Sequence, residues 1–339
     1  MPLAILILLA IVAALLTALP AVLGPRMFTL AVVPTTAAFA LGTAALLWLD
    51  RWEPEPRRLL VFAALWGASV AVLLALALEV AFASHDVIET AVAAPVFEEF
   101  AKGTLLIVMV TGRRGREMST LVDHRVYAGL CGLGFAYSEN LMYLSGASDL
   151  GDLWQMIVVR LGLKVWGHPL YAMVLALGVY LARQPGPWWS RILAIPAGFV
   201  GATTLHGIWN GSVFFHLWVT VAVYLGALLP ALGLLVWSGV QQRRREGVLV
   251  AGELPRLVAA GYLGPALAGT LAALPVRRSV LGGLPKAVQP AYRELADAVA
   301  ELAFLNERIE QVGTDPRLAG LRQELLARIG TARTVLPPG

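Results

Sequence analysis

Charged side chains and cysteine are both scarce in this chain. Only 14% of its 339 residues are charged, against about 25% in a typical soluble domain. Cys131 is the only cysteine, which excludes an internal disulfide framework and any paired-cysteine metal or redox motif. The formal net charge is only +4 and no long basic run occurs, so nucleic acid is not an expected partner. An ordinary soluble enzyme and a disulfide scaffold are both excluded.

The charges that are present divide the chain into two parts. Residues 1–240 carry 13 acidic and 13 basic side chains, whereas residues 241–339 carry 9 acidic and 13 basic ones. The net charge of +4 therefore belongs to the last part alone. This division predicts a membrane domain over residues 1–240 and a basic, water-facing tail over residues 241–339.

Long apolar segments fill the first part. A helix needs about 20 residues to cross a bilayer, because all its backbone polar groups must be bonded internally. Eight segments meet that length: 3–24, 28–49, 59–82, 88–112, 126–144, 157–182, 191–216 and 218–239. The first lacks the basic amino-terminal region and the small-residue cleavage site of a signal peptide, so we expect it to be kept as a span. The predicted fold is all-α, a polytopic helical membrane protein with about eight transmembrane helices.

Lysine and arginine in the short loops predict the orientation in the cell membrane. Alternate loops on one side carry twelve arginines, whereas the opposite loops carry only Arg26. Positively charged loops stay on the cytoplasmic side. Both termini are therefore predicted to be cytoplasmic.

Apolar residues in the tail recur at helical spacing. Two series do so, separated by Asp315-Pro316: Leu295, Val299, Leu302, Leu305 and Ile309, then Leu318, Leu321, Leu325 and Ile329. Such spacing is typical of amphipathic helices. We expect a helical hairpin on the cytoplasmic side.

Ionisable and amide side chains interrupt four consecutive spans. A charged group deep in a span costs about 3 kcal/mol on insertion scales, so each is a candidate functional residue. The groups are Glu98, Glu99 and Lys102 in the fourth span, Glu139 and Asn140 in the fifth, Arg160, Lys164 and His168 in the sixth, and His206 and Asn210 in the seventh.

Depth in the membrane brings three of these groups together. Counted from the outer boundary, Glu98, His168 and His206 are each about ten residues in, or about 15 Å at 1.5 Å per residue. Glu139 and Asn210 are about half as deep, so we expect these two side chains to form a second polar layer. One carboxylate and two imidazoles are therefore expected at one level near the middle of the bilayer.

This set of side chains suits hydrolysis. Glu98 can take a proton from water, while His168, His206 and Asn210 can stabilise the oxyanion that forms on a carbonyl. The same Glu and His residues can instead hold a zinc ion. Glu99 is expected to pair with a basic group such as Lys102 or to orient a ligand.

Four motifs in order along these spans resemble the PrsW intramembrane protease family, relatives of the CAAX prenyl-proteases and bacteriocin-processing enzymes. Glu98-Glu99-Phe-Ala-Lys102 resembles its EExxK motif, and Gly132 to Asn140 is similar to its GxGFxxxEN segment. His168, and His206 with Asn210 on the next span, match the remaining motifs. The loop 50–56 resembles the acidic, Pro-rich loop upstream.

The resemblance implies a glutamic-type or metal-type endopeptidase that cuts membrane-anchored proteins, of which anti-sigma factors are the usual example. Carried over by position, it implies catalytic roles for Glu98, Glu99, His168, His206 and Asn210, with Glu139 as a further motif residue. Whether zinc or no cofactor takes part is left open.

Other readings of the same residues remain open. A chain of Glu and His side chains can relay protons in a transporter or ion pathway. The carboxylates can form structural ion pairs with Lys102 or Lys164, and the imidazoles and Asn210 can serve as hydrogen bonds between helices. A non-catalytic membrane scaffold is a further alternative.

Overall fold

A computed structural model describes residues 2–49, 52, 54–82, 87–111, 115, 118–313 and 316–336 of the chain. Parts of three sequence predictions lie outside these residues. They are the acidic loop positions 50, 51 and 53, the arginines at 113, 114 and 116, and the acidic residue before Pro316. All regular structure within the described residues is helical, which confirms the predicted all-α class.

Fifteen α-helices follow one another in the part of the chain that the structure describes. They are α1 (Pro2–Leu23), α2 (Pro25–Leu49), α3 (Arg57–Trp66), α4 (Val72–Ala81), α5 (Ala94–Val110), α6 (Leu121–Ser145), α7 (Leu150–Met156), α8 (Gly167–Ala182), α9 (Trp188–Ser212), α10 (Leu217–Val223), α11 (Leu229–Ala259), α12 (Pro265–Leu271), α13 (Leu274–Gly283), α14 (Gln289–Val312) and α15 (Pro316–Val335). Wider π-helical turns join or extend some of them, at Gly67–Ala71, Glu89–Ala93, Ile157–Leu163 and Tyr224–Leu228.

Five helical stretches in the described residues are long and apolar enough to cross a membrane. They are Pro25–Leu49, Arg57–Ala81, Leu150–Ala182, Trp188–Ser212 and Leu217–Ala259. Two other predicted spans form helices, at Glu89–Val110 and Leu121–Ser145, but carry the buried ionisable groups that lower their hydropathy. The chain is therefore a multi-pass helical membrane protein, and the count of eight spans stays a prediction.

The chain divides into two compact units. One comprises Met1–Trp48 with Glu55–Trp237, and the other comprises Leu49–Pro54 with Ser238–Gly339. All candidate site residues belong to the first unit.

Helix α6 is the most deeply buried helix of the first unit. Its start is set by Thr120, whose hydroxyl accepts from the Asp123 N–H at 3.2 Å while the Asp123 carboxylate accepts from the Thr120 N–H at 2.6 Å. Such a reciprocal cap satisfies two donors that the first turn leaves free. Every residue from Val122 to Ala136 on α6 is buried. This helix therefore lies at the centre of the unit.

Close helix contacts explain the glycines of α6. A Cβ atom at Gly132 would lie 2.5 Å from the His168 carbonyl oxygen, and one at Gly134 would lie 2.0 Å from that of Ala64. Because glycine has no Cβ atom, it allows two backbones to approach this closely. Small residues have the same role between helices in membranes. Gly132 thereby sets the distance between α6 and the start of α8.

The sixth predicted span is not one continuous helix. It begins at Leu150, and Asp149 caps it by accepting from the Gly151 N–H at 2.7 Å. A π-helical turn over Ile157–Leu163 follows, and the helix is interrupted at Lys164–Trp166 before α8 starts at Gly167. Irregular backbone at membrane depth is tolerated where protein buries it. Arg160, Lys164 and His168 therefore do not lie on one regular helix, although all three contact Glu139.

The second unit has its own apolar core. Leu295, Val299 and Leu302 of α14 are fully buried there, and Leu325 and Ile329 of α15 pack into the same cluster. The apolar residues that recur at helical spacing in the sequence thus form the buried face of each helix. Arg328 of α15 also pairs with Glu301 of α14 at 2.7 Å.

Candidate active site

Three side chains from three helices meet inside the first unit. Glu98 Oε2 lies 3.6 Å from His168 Nδ1 and 3.8 Å from His206 Nε2. Glu98 is on α5, His168 is in the first turn of α8, and His206 is within α9. All three are buried, and each His is at most 1% exposed. The carboxylate and the two imidazoles that depth counting placed at one level do lie together.

A second carboxylate lies behind each imidazole. His206 Nδ1 contacts Glu99 Oε1 at 2.9 Å, and His168 Nε2 contacts Glu139 Oε2 at 2.6 Å. Because a carboxylate accepts, the His206 proton belongs on Nδ1, which leaves a lone pair on Nε2 facing Glu98. Glu139 was expected in a separate outer layer, but it touches the inner cluster directly.

Lys102 joins the cluster from the next turn of α5. Its Nζ donates to Glu99 Oε1 at 2.6 Å and to His168 Nδ1 at 3.1 Å, and lies 3.8 Å from Glu98 Oε2. An ammonium group only donates, so His168 Nδ1 is the acceptor and its ring proton faces Glu139. Glu98 and Glu99, about 100° apart on the helix, both reach the cluster, and Glu99 has the basic partner that was expected.

An outer polar layer supports Glu139. Arg160 Nη2 lies 2.9 Å from Glu139 Oε2, and Arg160 Nε donates to Asn140 Oδ1 at 2.9 Å. Lys164 Nζ lies 3.9 Å from Glu139 Oε1 and donates to Asn210 Oδ1 at 3.5 Å. Three cations, Lys102 included, thus balance three carboxylates in a region where unpaired charge is costly.

Asn210 lies in this outer layer and not beside Glu98. Its Oδ1 accepts from Lys164, and its Nδ2 donates to the Thr90 carbonyl oxygen at 3.2 Å. Both ends of the amide are therefore engaged with other groups. The oxyanion role expected for Asn210 has no support from these contacts.

Two aromatic rings line the cluster: Phe135, which is the phenylalanine of the GxGFxxxEN segment, and Tyr171, which no sequence motif singled out. The Tyr171 ring stacks on His206 with centroids 4.6 Å apart, and the Phe135 ring centroid lies 4.5 Å from Lys102 Nζ. Tyr171 is three residues after His168, which places it on the same face of α8. That spacing is the only sequence signal that could have indicated it.

The inner residues fit a catalytic zinc site by their donor set. Glu98, His168 and His206 each offer one ligand atom, and these atoms lie within 4.8 Å of one another. The lone pair on His168 Nδ1 accepts from Lys102 Nζ, so a zinc ion would take the place of that hydrogen bond. Glu98 Oε2 and His206 Nε2 are buried with no hydrogen-bond partner among the described residues. Two imidazoles and one carboxylate, with further carboxylates behind the imidazoles, are the usual surroundings of such an ion.

The fold and the site define a class of protein: a multi-pass helical membrane protein with a carboxylate–imidazole centre buried among its helices. Residues 55–235, just over half of the chain, match the model of the PrsW family intramembrane metalloproteases. The chain belongs to this family, which confirms the family that the sequence predicted and supports an intramembrane peptidase function. Neither the curated proteins nor the solved structures provide a match.

Proposed function

We propose that this protein is an endopeptidase that hydrolyses peptide bonds of membrane-anchored proteins, with anti-sigma factors as one example of such a substrate. The observation that carries the proposal is the meeting of Glu98 with His168 and His206, each imidazole backed by its own carboxylate.

Glu98 is the group that acts on water. Its Oε2 faces both imidazoles and is free of hydrogen bonds to the described residues. It takes a proton from the attacking water as the water oxygen bonds to the peptide carbonyl carbon. It then returns this proton to the amine that leaves when the C–N bond breaks.

The other side chains hold this arrangement in place. Glu99 and Glu139 orient His206 and His168, and Lys102 keeps Glu99 and the His168 lone pair in position. As the alternative to Glu98 acting as base, Glu98, His168 and His206 would together hold a zinc ion, which when bound polarises a carbonyl and activates water. We propose that Asn210 acts through Lys164 and not on the reacting atoms.

Eight membrane spans with both termini in the cytoplasm complete the proposal. The support is the twelve-to-one distribution of arginine between the two sets of loops. Residues 1–240 then form the protease domain and residues 241–339 a cytoplasmic tail.

Replacing Glu98 by Gln tests the mechanism, because Gln keeps the size of the side chain and removes its basicity. In bilayers with a membrane-anchored protein that the wild type cleaves, Glu98→Gln should lower the rate at least about 100-fold. Glu324→Gln, the same change at an exposed position of α15, should leave the rate unchanged. Cleavage by Glu98→Gln at the wild-type rate would overturn the proposal.

A further inference from the structure

A polar pocket lies entirely within the second unit. Its volume is about 380 Å³, and it is formed by the end of α11 with Tyr262 just after it, the last turns of α14 and the first half of α15. Leu257, Ile309 and Leu326 make parts of its wall apolar, while charged and amide side chains complete the lining. Its volume falls within the range of small-molecule sites, about 300–1,000 Å³.

Two of the lining side chains are buried polar groups. Glu253 of α11 and Asn306 of α14 are only 5% and 9% exposed, and Asn306 Nδ2 donates to Glu253 Oε1 at 2.9 Å. Arg322 of α15 donates from Nε to the other end of the same amide, Asn306 Oδ1, at 3.1 Å. Asn306 therefore holds a carboxylate on one side and a guanidinium on the other.

Arg322 keeps donors that a ligand can use. Its Nε is engaged by Asn306, whereas its two terminal nitrogens have no hydrogen bond or ion pair with the described residues. The side chain is exposed, so a ligand in the pocket can reach it. A guanidinium with both terminal nitrogens available binds a carboxylate through two parallel hydrogen bonds.

The carboxylates of the lining outnumber the cation that pairs with them. Arg256 Nη1 lies 3.0 Å from Glu310 Oε1 and 3.5 Å from Glu253 Oε2. Two carboxylates thus share one guanidinium, which leaves one negative charge uncompensated among the described residues. The Glu310 side chain is 62% exposed, so it too can be reached from the pocket. An ammonium group, which only donates, would complete this pair.

The lining therefore offers one surplus charge of each sign. A ligand with only an anionic group would be repelled by the surplus carboxylate, and one with only an ammonium would be repelled by Arg322, since like charges placed together are costly. A zwitterion matches both. Because a cavity of about 150 Å³ holds benzene, this pocket holds about 15 non-hydrogen atoms, which is the size of a dipeptide with small apolar side chains.

We propose that this pocket binds a short apolar peptide with both ends free. The peptide carboxylate lies on Arg322, its ammonium lies on Glu253 and Glu310, and its side chains contact the apolar walls. The site is outside residues 55–235, which match the family model. The inference goes beyond the proposed peptidase function and does not depend on it.

Calorimetric titration of the full-length protein in lipid nanodiscs tests the site with three matched probes. They are valyl-valine, N-acetyl-valyl-valine, which lacks the ammonium, and valyl-valinamide, which lacks the carboxylate. Valyl-valine should bind about tenfold more tightly than either blocked form, because each block removes one hydrogen-bonded charge pair. Equal affinity for the three probes, or no binding of valyl-valine, would overturn the inference.

Two exposed residues of the lining assign each end of the ligand. Arg322→Gln should lose the preference for the free carboxylate and keep the preference for the free ammonium, and Glu310→Gln should do the reverse. Arg317→Gln and Glu324→Gln are the matched controls, since both residues are exposed on α15 and neither lines the pocket. Both controls should retain the two preferences. Preferences that persist in Arg322→Gln and Glu310→Gln would place the peptide elsewhere and overturn the inference.

Discussion

The imidazoles of the candidate site depend on carboxylates that do not face its centre. Glu139 contacts His168 Nε2 at 2.6 Å and is itself paired with Arg160. Removing its charge would free the His168 ring to rotate or to change tautomer. Groups of this kind commonly contribute 10–100-fold in activity or metal affinity.

Glu139→Gln is therefore expected to lower the cleavage rate about 10–100-fold while the protein stays folded. Zinc titration of the purified protein should show a loss of affinity of the same order if the ion binds at His168. Asp152→Asn is a suitable control, since Asp152 bonds Ser148 near the start of α7. Equal rates for Glu139→Gln and the wild type would show that Glu139 does not orient His168.

Helix contacts position the site as strictly as the side chains do. Gly132 of α6 lies against the His168 carbonyl oxygen, where an added Cβ would be 2.5 Å away. The obstacle is backbone, so α6 and α8 must separate to admit it. Any such shift changes the position of His168 relative to Glu98.

Gly132→Ala should consequently reduce cleavage at least about tenfold and lower the thermal unfolding temperature, because overpacking costs about 1–3 kcal/mol. Gly233→Ala provides the matched control, since a Cβ at Gly233 in α11 meets nothing within 4 Å. That control should be neutral or slightly stabilising. Unchanged activity in Gly132→Ala would show that the contact does not set the position of His168.

Sequence reasoning succeeded for groups whose positions follow from depth in a membrane helix. Glu98 and His206 lie in regular helices, so counting residues from the boundary brought them to one level. It failed where the backbone departs from regular geometry, as at the interruption over Lys164–Trp166, although Gly167 and Pro169 directly after it are typical of the start of a helix. Tyr171 was missed for a different reason: its stacking on His206 depends on how α8 packs against α9.

The second unit carries its own dependence on pH. Burial raises the pKa of Asp297 in α14 from 3.8 to about 7, although Arg277 opposes this shift. Glu294 and Glu301 add to the rise and Arg328 opposes it. The folded unit thus binds a proton that the unfolded chain releases near pH 4. This stabilisation is complete below about pH 4 and is lost as the pH rises through 7.

Between pH 5 and pH 8 the free energy of unfolding around Asp297 should fall, by about 2 kcal/mol once partial exposure of the side chain is allowed for. Hydrogen exchange of the α14 amides in the full-length protein, corrected for intrinsic rates, measures this change. Asp297→Asn should remove the decrease and Glu324→Gln should retain it. A decrease of the same size in Asp297→Asn would assign the effect to other groups.

Orientation in the membrane is the property on which the roles of all the loops depend. Ser148 precedes α7 and is exposed, and Gly186 lies in the exposed turn between α8 and α9. The arginine distribution predicts Ser148 on the outer side and Gly186 in the cytoplasm.

Cys131 is buried, so single cysteines placed at these sites can be labelled selectively. In intact cells a membrane-impermeant maleimide should label Ser148→Cys and leave Gly186→Cys unlabelled until the membrane is opened. The reverse pattern would invert the topology and place the tail after residue 240 outside the cytoplasm.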